Sequence, residues 1–226
     1  MTAVPGRNES GRGGTRNVRS LAFTPSVYEH AARLIGRSPW EVSRSGDLLY
    51  EAHAAAFRLY GHRPVVVGID IYNVEAEAYG AVLEDTGPAG IPAVHEPVVP
   101  AVAELLDLKP FDPACAARVP LILETASRLA ERFPGADVRV PVSGPFSLAS
   151  NLVGFETLLI AILDNPETLR SALRHLATAQ VAFCREIVRR GLEVAFFESA
   201  AAPPLLPPEY FERIEQPVLA DTMRGV

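Results

Sequence analysis

The sequence predicts an α/β fold in which a parallel sheet is covered by helices. Three short apolar runs, at residues 64–70, 137–142 and 194–197, lack polar alternation, which is typical of strands buried on both faces. Long segments with apolar residues at helical spacing follow the first two runs, so the unit of strand and then helix recurs. Parallel strands joined in this way require right-handed crossovers. We therefore expect about three parallel strands, preceded by N-terminal helices.

Composition excludes several classes of partner. The chain has 226 residues, is 48% hydrophobic and carries a formal net charge of −6, which suits one large domain or two small ones. It has no basic stripe for nucleic acid or an anionic membrane, and no apolar run of the roughly 18 residues that a span requires. Cys115 and Cys184 form no CxxC pair and follow no secretory leader, so we expect a cytoplasmic protein with both thiols in the core.

The first 20 residues differ in composition from the rest. They are rich in Gly, Arg, Asn and Ser, which predicts a disordered tail; a transit peptide is the alternative. Residues 21–226 form the predicted folded portion.

Helix boundaries follow from capping and stop signals. A capping residue followed by proline, which favours a helix start, occurs at four places: Thr24-Pro25, Ser38-Pro39, Asp112-Pro113 and Asn165-Pro166. Glycine or Pro-Gly ends a helix, and Pro208 opens the last one. The predicted helices cover residues 24–34, 39–60, 102–106, 113–133, 148–163, 167–190 and 208–226, with a short one after Asp70. The Gly- and Pro-rich segment after Gly80 predicts a long loop or small hairpin.

The predicted site lies where the strands end. Parallel α/β sheets place the ligand crevice at the carboxyl ends of their strands, and Asp70 ends the first strand as the candidate catalytic residue. A helix N-cap or a salt-bridged acid is the alternative for Asp70. Ser143 and Gly144 follow the second strand, where backbone N–H groups could hold an anion or simply form a tight turn. Glu198 ends the third strand, as a pocket acid or as the partner of an arginine.

Other residues are weaker candidates. Tyr72 and Phe146 flank the strand ends and are expected to wall a flat ligand, with core packing as the alternative. His95 lies in the Gly- and Pro-rich loop as a proton shuttle or a solvated side chain. Arginines that could grip substrate carboxylates are Arg37, Arg44 and Arg63. The remaining histidines lack partners at metal-ligand spacing, so we predict no metal site.

Three segments carry a family resemblance: GIDIYNVEAEAYG around Asp70, VSGPFSLASNLVGFETLLIAILDNPE from Val142 and FFESAAAPPLLPPEYF from Phe196. In order and spacing they resemble the uroporphyrinogen decarboxylase superfamily, which includes porphyrinogen decarboxylases and corrinoid-dependent methyltransferases. The resemblance implies a partial (β/α)8 TIM barrel, of which residues 21–226 are the N-terminal portion. Asp70 falls where decarboxylases carry the aspartate facing the pyrrole nitrogens, and a fixed carboxylate there stabilises a cationic ring.

Two departures from the family pattern bear on the function. The segment GRSPWEVSRSGDLLYEA from Gly36 lacks the Arg-rich pattern with which decarboxylases grip their substrate, and SGPFSL from Ser143 resembles the methyltransferase branch. That branch activates a thiol on zinc held by a His-x-Cys pair and a distant Cys, and this chain has no His-x-Cys. The expectation is methyl transfer to a thiol by an incomplete domain, with corrinoid and zinc as cofactors only of a complete homologue.

Two alternatives stay open at this point. One is a porphyrinogen decarboxylase of tetrapyrrole biosynthesis. The other is a non-catalytic half-barrel that binds a tetrapyrrole, a corrinoid-type ligand or a chain supplying the rest of the barrel, because open sheet edges need cover.

Overall fold

The structure of the chain is a computed structural model that describes residues 25–226. The predicted tail at residues 1–20 and the predicted cap Thr24 lie outside the described residues.

Three parallel strands form the central sheet. The strands of the described part are β1 (Val65–Val66), β2 (Leu83–Glu84), β3 (Ala93–Val94), β4 (Val138–Ser143) and β5 (Glu193–Phe197). The order in the sheet is β1-β4-β5, and β4 pairs with a parallel strand on each side. In register, Val65 faces Val138, and Arg139 faces Glu193. The predicted parallel sheet is confirmed, although β1 is shorter than the predicted strand.

Helices make up most of the remainder and cover the sheet. They are α1 (Tyr28–Leu34), α2 (Pro39–Ser43), α3 (Gly46–Tyr60), α4 (Val74–Ala78), a 3-10 helix (Val102–Asp107), α5 (Val119–Arg132), α6 (Pro145–Val153), α7 (Phe155–Asp164), α8 (Pro166–Arg189), α9 (Pro208–Tyr210), a π-helical turn (Phe211–Glu215) and α10 (Gln216–Gly225). The Gly- and Pro-rich segment forms the small hairpin, in which β2 and β3 pair antiparallel.

Two helices in the first half differ from the prediction. The helix expected over 39–60 is split, because Ser45 accepts a hydrogen bond from the Leu48 N–H and caps a second helix. The helix expected from residue 113 begins only at Val119. The Asp112 carboxylate accepts from the Ala114 N–H in a turn instead, which is the local bonding by which Asp competes with a helix.

The helix expected over 148–163 is also divided. Helices α6 and α7 meet at 113°, and Gly154 between them has φ 85° and ψ 140°. Only glycine adopts this conformation at little cost. Along residues 25–226, no single helix is both long and apolar enough to cross a bilayer. Only the bent pair of α6 and α7, taken together, has the length and the apolar composition that such a crossing needs.

The core lies between the sheet and helices α3, α5, α6 and α8. Cys184 is buried on α8, as predicted, and burial raises the pKa of its thiol to about 12. The prediction for Cys115 was wrong: its side chain is exposed, because it falls in the turns that precede α5 rather than on a helix.

Candidate functional site

Asp70 forms a buried salt bridge with Arg118. Its side chain is 1% exposed, and the guanidinium of Arg118 donates to both carboxylate oxygens, at 2.8 and 2.7 Å. This is the bidentate arrangement in which a planar guanidinium matches a carboxylate. Arg118 immediately precedes α5 and also donates to the Ser43 carbonyl oxygen at 3.2 Å. Asp70 is therefore a buried, salt-bridged acid four residues beyond β1, which ends at Val66 and not at Asp70 as predicted, and its catalytic role stays a prediction.

The Arg118 pair continues into a larger ion network. Glu77 on α4 accepts from Arg118 with one carboxylate oxygen and from Arg44 with the other. The Arg44 guanidinium lies 4.4 Å from the centre of the Trp40 ring, a cation–π distance. Asp70, Arg118, Glu77 and Arg44 thus form a continuous chain of ion pairs that reaches the end of α2, and the two negative and two positive charges balance.

Ser143 is fixed by a buried glutamate that the sequence analysis did not single out. Glu75 on α4 is fully buried and accepts from the Ser143 N–H at 2.6 Å. The Ser143 carbonyl oxygen accepts from Gln180 at 2.5 Å. Burial raises the pKa of Glu75 from 4.5 to about 7, and the Ser143 hydrogen bonds oppose that rise only in part. Both polar groups of the Ser143 backbone are therefore engaged within the fold.

Glu198 occupies the N-terminus of α6. One carboxylate oxygen accepts from the N–H and the hydroxyl of Ser147, at 2.7 and 2.6 Å, and the other from the Phe146 N–H at 3.2 Å. A methyl group on Gly144 would lie 1.7 Å from this carboxylate, so only glycine allows the approach. The first-turn N–H groups predicted to hold an anion instead hold this chain's own glutamate, at the positive end of the helix dipole.

The aromatic candidates have different surroundings. Tyr72 is 36% exposed, and its ring packs edge-on against Phe197 at a centroid distance of 6.0 Å. Asn151 donates to the Tyr72 carbonyl oxygen at 2.7 Å and joins this pair to α6. The Phe146 side chain is fully buried in the core, so only its backbone N–H reaches the strand ends.

Of the predicted site residues, the structure brings Ser143, Gly144, Phe146 and Glu198 together around the start of α6, with Tyr72 beside Phe197. Asp70 belongs to the separate Arg118 network. His95 lies on the hairpin, exposed, with a ring nitrogen 2.9 Å from Glu84, and this carboxylate raises the pKa of His95.

Four residues essential to this geometry were missed: Glu75, Glu77, Arg118 and Glu215. A signal existed for the first two, since a short helix rich in apolar residues carries two acids directly after Asp70. Arg118 and Glu215 have no such signal, because their contacts join segments 48 and 17 residues apart.

The family resemblance implies a zinc ion, but the described part of the chain has no set of side chains that could bind it. Between residues 25 and 226, no group of three or more His, Cys, Asp or Glu side chains is placed to hold a metal ion. The residues present do not fit the thiol-activating zinc site.

Comparison with known proteins identifies the family. A sequence model of uroporphyrinogen decarboxylase (URO-D) matches residues 22–226. Methylcobamide:CoM methyltransferase MtaA of Methanosarcina barkeri is 30% identical over 112 residues, which are 48% of this chain and 33% of that protein. A methyltransferase from Methanosarcina mazei superposes with a TM-score of 0.75 at 22% identity, over 90% of this chain and 60% of the other.

The chain thus spans 60% of the superposed methyltransferase and a third of the curated one. The superposition confirms the fold class, a partial (β/α)8 TIM barrel with three parallel strands in the described part. Both relatives are methyltransferases, in agreement with the branch that the Ser143 segment resembles. Because the family match covers nearly the entire chain, the protein belongs to the uroporphyrinogen decarboxylase family.

Proposed function

We propose that this chain is a methyltransferase-type domain that binds a methylated cobamide at its strand ends and serves methyl transfer to a thiol. The observation that carries the proposal is the match to a methylcobamide:CoM methyltransferase over 112 residues. A fold alone supports many chemistries, so the proposal also draws on the geometry of the strand ends, which supports methyl transfer over decarboxylation.

The state of Asp70 favours methyl transfer over decarboxylation. Stabilising a protonated pyrrole requires a carboxylate whose oxygens face the ring nitrogens. Here both oxygens of Asp70 accept from Arg118, and a guanidinium at that position would repel a cationic ring. In the methyltransferase proposal Asp70 acts through this pair, as a residue that positions the start of α4.

The strand ends offer a surface for a flat macrocycle. Tyr72 presents an exposed edge beside Phe197, and aromatic rings are the usual walls for large planar ligands. We propose that Tyr72 contacts the corrin ring, and that Ser143, Gly144 and Glu198 shape the neighbouring strand end. Thiol activation on zinc is outside this proposal, because the described residues do not fit that ion.

Equilibrium dialysis against methylcob(III)alamin tests the proposal, with retained corrinoid measured by its visible absorbance. We expect saturable retention by the chain, weakened about tenfold or more by Tyr72→Ala through loss of aromatic contact. Tyr60→Ala is the matched control, since Tyr60 is an exposed tyrosine on α3, and it should retain corrinoid like the unmodified chain.

The alternatives give different outcomes in the same assay. A porphyrinogen decarboxylase would retain uroporphyrin in preference to corrinoid and would convert uroporphyrinogen to coproporphyrinogen. A non-catalytic half-barrel that binds a tetrapyrrole would retain uroporphyrin without converting it, and one that binds only another chain would retain neither ligand. Each of these results would overturn the methyltransferase proposal.

A further inference from the structure

A cavity of about 650 Å³ lies at the opposite end of β1 from the candidate site. The end of α3 and the turn that leads to β1 border it, through Tyr60, Gly61, His62 and Arg63. Its other described lining residues lie at or before the start of α1: Pro25, Ser26, Val27 and His30. The volume is in the range of small-molecule pockets. None of the strand-end candidates is among the described lining residues, so the cavity is a separate place in the fold.

Three aromatic rings line this cavity. The centroid of the Tyr60 ring lies 5.8 Å from that of His30 and 6.5 Å from that of His62. The Tyr60 hydroxyl and His30 Nε2 form a hydrogen bond of 2.7 Å, which joins α1 to the end of α3. Tyr60 is nevertheless 48% exposed. Rings that are fixed in place and still open on one side are the usual walls for planar ligands.

The described lining carries positive charge and no acid. Arg63 supplies a permanently charged guanidinium, and no Asp or Glu occurs among the described lining residues. The acid that neighbours His30 on α1, Glu29, does not line the cavity. The guanidinium also lies close to Gly135, where a methyl group would be 2.9 Å from a terminal nitrogen. It has five N–H donors, so it can serve a ligand beside its contacts within the chain.

His62 is the buried polar group of the lining. Its side chain is 6% exposed, and neither ring nitrogen has a hydrogen-bond partner in the described chain. Buried polar groups without partners are rare and costly. The nitrogens are shielded from solvent, but no hydrogen bond holds the ring, so it can turn toward a ligand without breaking one. Either neutral tautomer then offers one N–H donor.

A carboxylate on a flat ring matches these features. Its oxygens can accept from the Arg63 guanidinium in the bidentate manner that arginine favours and from an N–H of His62, while its ring packs against Tyr60. A polyanion needs several permanent cations, and the described lining has Arg63 alone. We propose that the cavity between the start of α1 and the end of α3 binds a small aromatic monocarboxylate.

Titration of sodium benzoate tests the site, with the proton NMR linewidths of the ligand measured in the presence of the full chain at constant ionic strength. We expect saturable binding with a dissociation constant of about 1 mM or tighter, as suits a ligand of this size. Benzamide has the same shape without the charge, and acetate has the charge without the ring. Each should bind about tenfold or more weakly. No saturable binding below about 10 mM, or equal binding of benzamide, overturns the proposal.

Variants locate the binding. Arg63→Gln removes the cation and should weaken benzoate binding about tenfold or more. Arg33→Gln is the matched control, because Arg33 is an exposed arginine of α1 outside the described lining, and it should bind benzoate normally. If Arg63→Gln fails to fold, Tyr60→Ala replaces it, with a loss of about fivefold or more from the missing ring contact. Benzoate binding that persists in the Arg63 or Tyr60 variant overturns the proposal.

The same two tyrosine variants separate this site from the proposed corrinoid site. Tyr60→Ala should lose benzoate and retain corrinoid, whereas Tyr72→Ala should retain benzoate and lose corrinoid. The ligands and the assays differ, so either proposal can fail alone.

Discussion

Arg118 controls the environment of Asp70, the residue on which the sequence analysis centred. A carboxylate with 1% exposure is stable only with a partner, and Arg118 supplies two donors to it and one to Glu77. The sequence predicted that an acid ends the strand, and it left open a salt-bridged acid as one alternative. It could not identify the arginine, since pairing across 48 residues depends on how α5 packs against α3, α4 and β4.

Replacing Arg118 tests how strongly the fold depends on this pair. Arg118→Met keeps most of the side-chain volume but leaves the buried Asp70 carboxylate without its cation and Glu77 with Arg44 alone, so we expect the free energy of unfolding to fall by about 3–5 kcal/mol. Urea denaturation followed by circular dichroism measures the change.

Arg128→Met is the matched control. Arg128 pairs with Asp47, whose side chain is 88% exposed, and an exposed pair contributes less than about 1 kcal/mol. Equal losses in the two variants would show that the Arg118 network does not stabilise the fold through charge pairing. Any activity lost in an Asp70 variant must be compared with its stability, because the same pair holds the fold.

At the scale of elements, a bend of 113° separates α6 from α7. The segment from Leu148 to Leu163 carries apolar residues at helical spacing on both sides of Gly154, so periodicity alone predicted one helix. The structure divides it at Gly154, whose positive φ breaks the helix. A glycine inside a helical pattern marks either a tolerated defect or a turn, and the backbone geometry, not the pattern, determines which.

Gly154→Ala tests this bend. With φ 85° and ψ 140°, an alanine is forced into a conformation that costs about 1–3 kcal/mol, and the nearest atom, Pro97 Cγ at 3.5 Å, adds no clash. We expect the midpoint of urea unfolding to fall accordingly.

Gly46→Ala provides the comparison for that variant. Gly46 begins α3, and an added methyl group meets only ordinary contacts at 3.5 and 3.7 Å, so this change should be neutral or stabilising by about 0.4–1 kcal/mol. A neutral Gly154→Ala would mean that the bend relaxes without cost.

At the scale of the whole molecule, two fully buried groups give opposite pH dependences of stability. Burial raises the pKa of Glu75 to about 7 and lowers that of His53 from 6.5 to about 4. Between about pH 4.5 and 7 the folded chain keeps a proton on Glu75 that the unfolded chain releases, so stability falls as pH rises. Between about pH 4 and 6.5 the unfolded chain protonates His53, so this contribution to stability rises with pH.

Glu75→Gln should separate the two contributions. A carboxyl pKa raised from 4.5 to about 7 makes the folded state about 3 kcal/mol less stable above pH 7 than an unperturbed carboxyl would, and glutamine, which does not titrate, should remove this loss of stability. Urea unfolding at about pH 5 and about pH 7.5 measures it: relative to the unmodified chain, the variant gains stability at the higher pH. Parallel pH profiles for the two proteins would contradict a buried, pH-titrating Glu75.

The sequence by itself determined the class of fold, the three parallel strands, most helix boundaries and the family. Each of these depends on local patterns: apolar runs, capping residues, glycine stops and the order of three motifs. Only the tertiary structure decided what the strand-end acids do. Asp70 pairs with Arg118, Glu198 caps α6 and Glu215 lies beside Glu198, because a buried charge is defined by partners that packing brings from distant segments, and no local pattern encodes them.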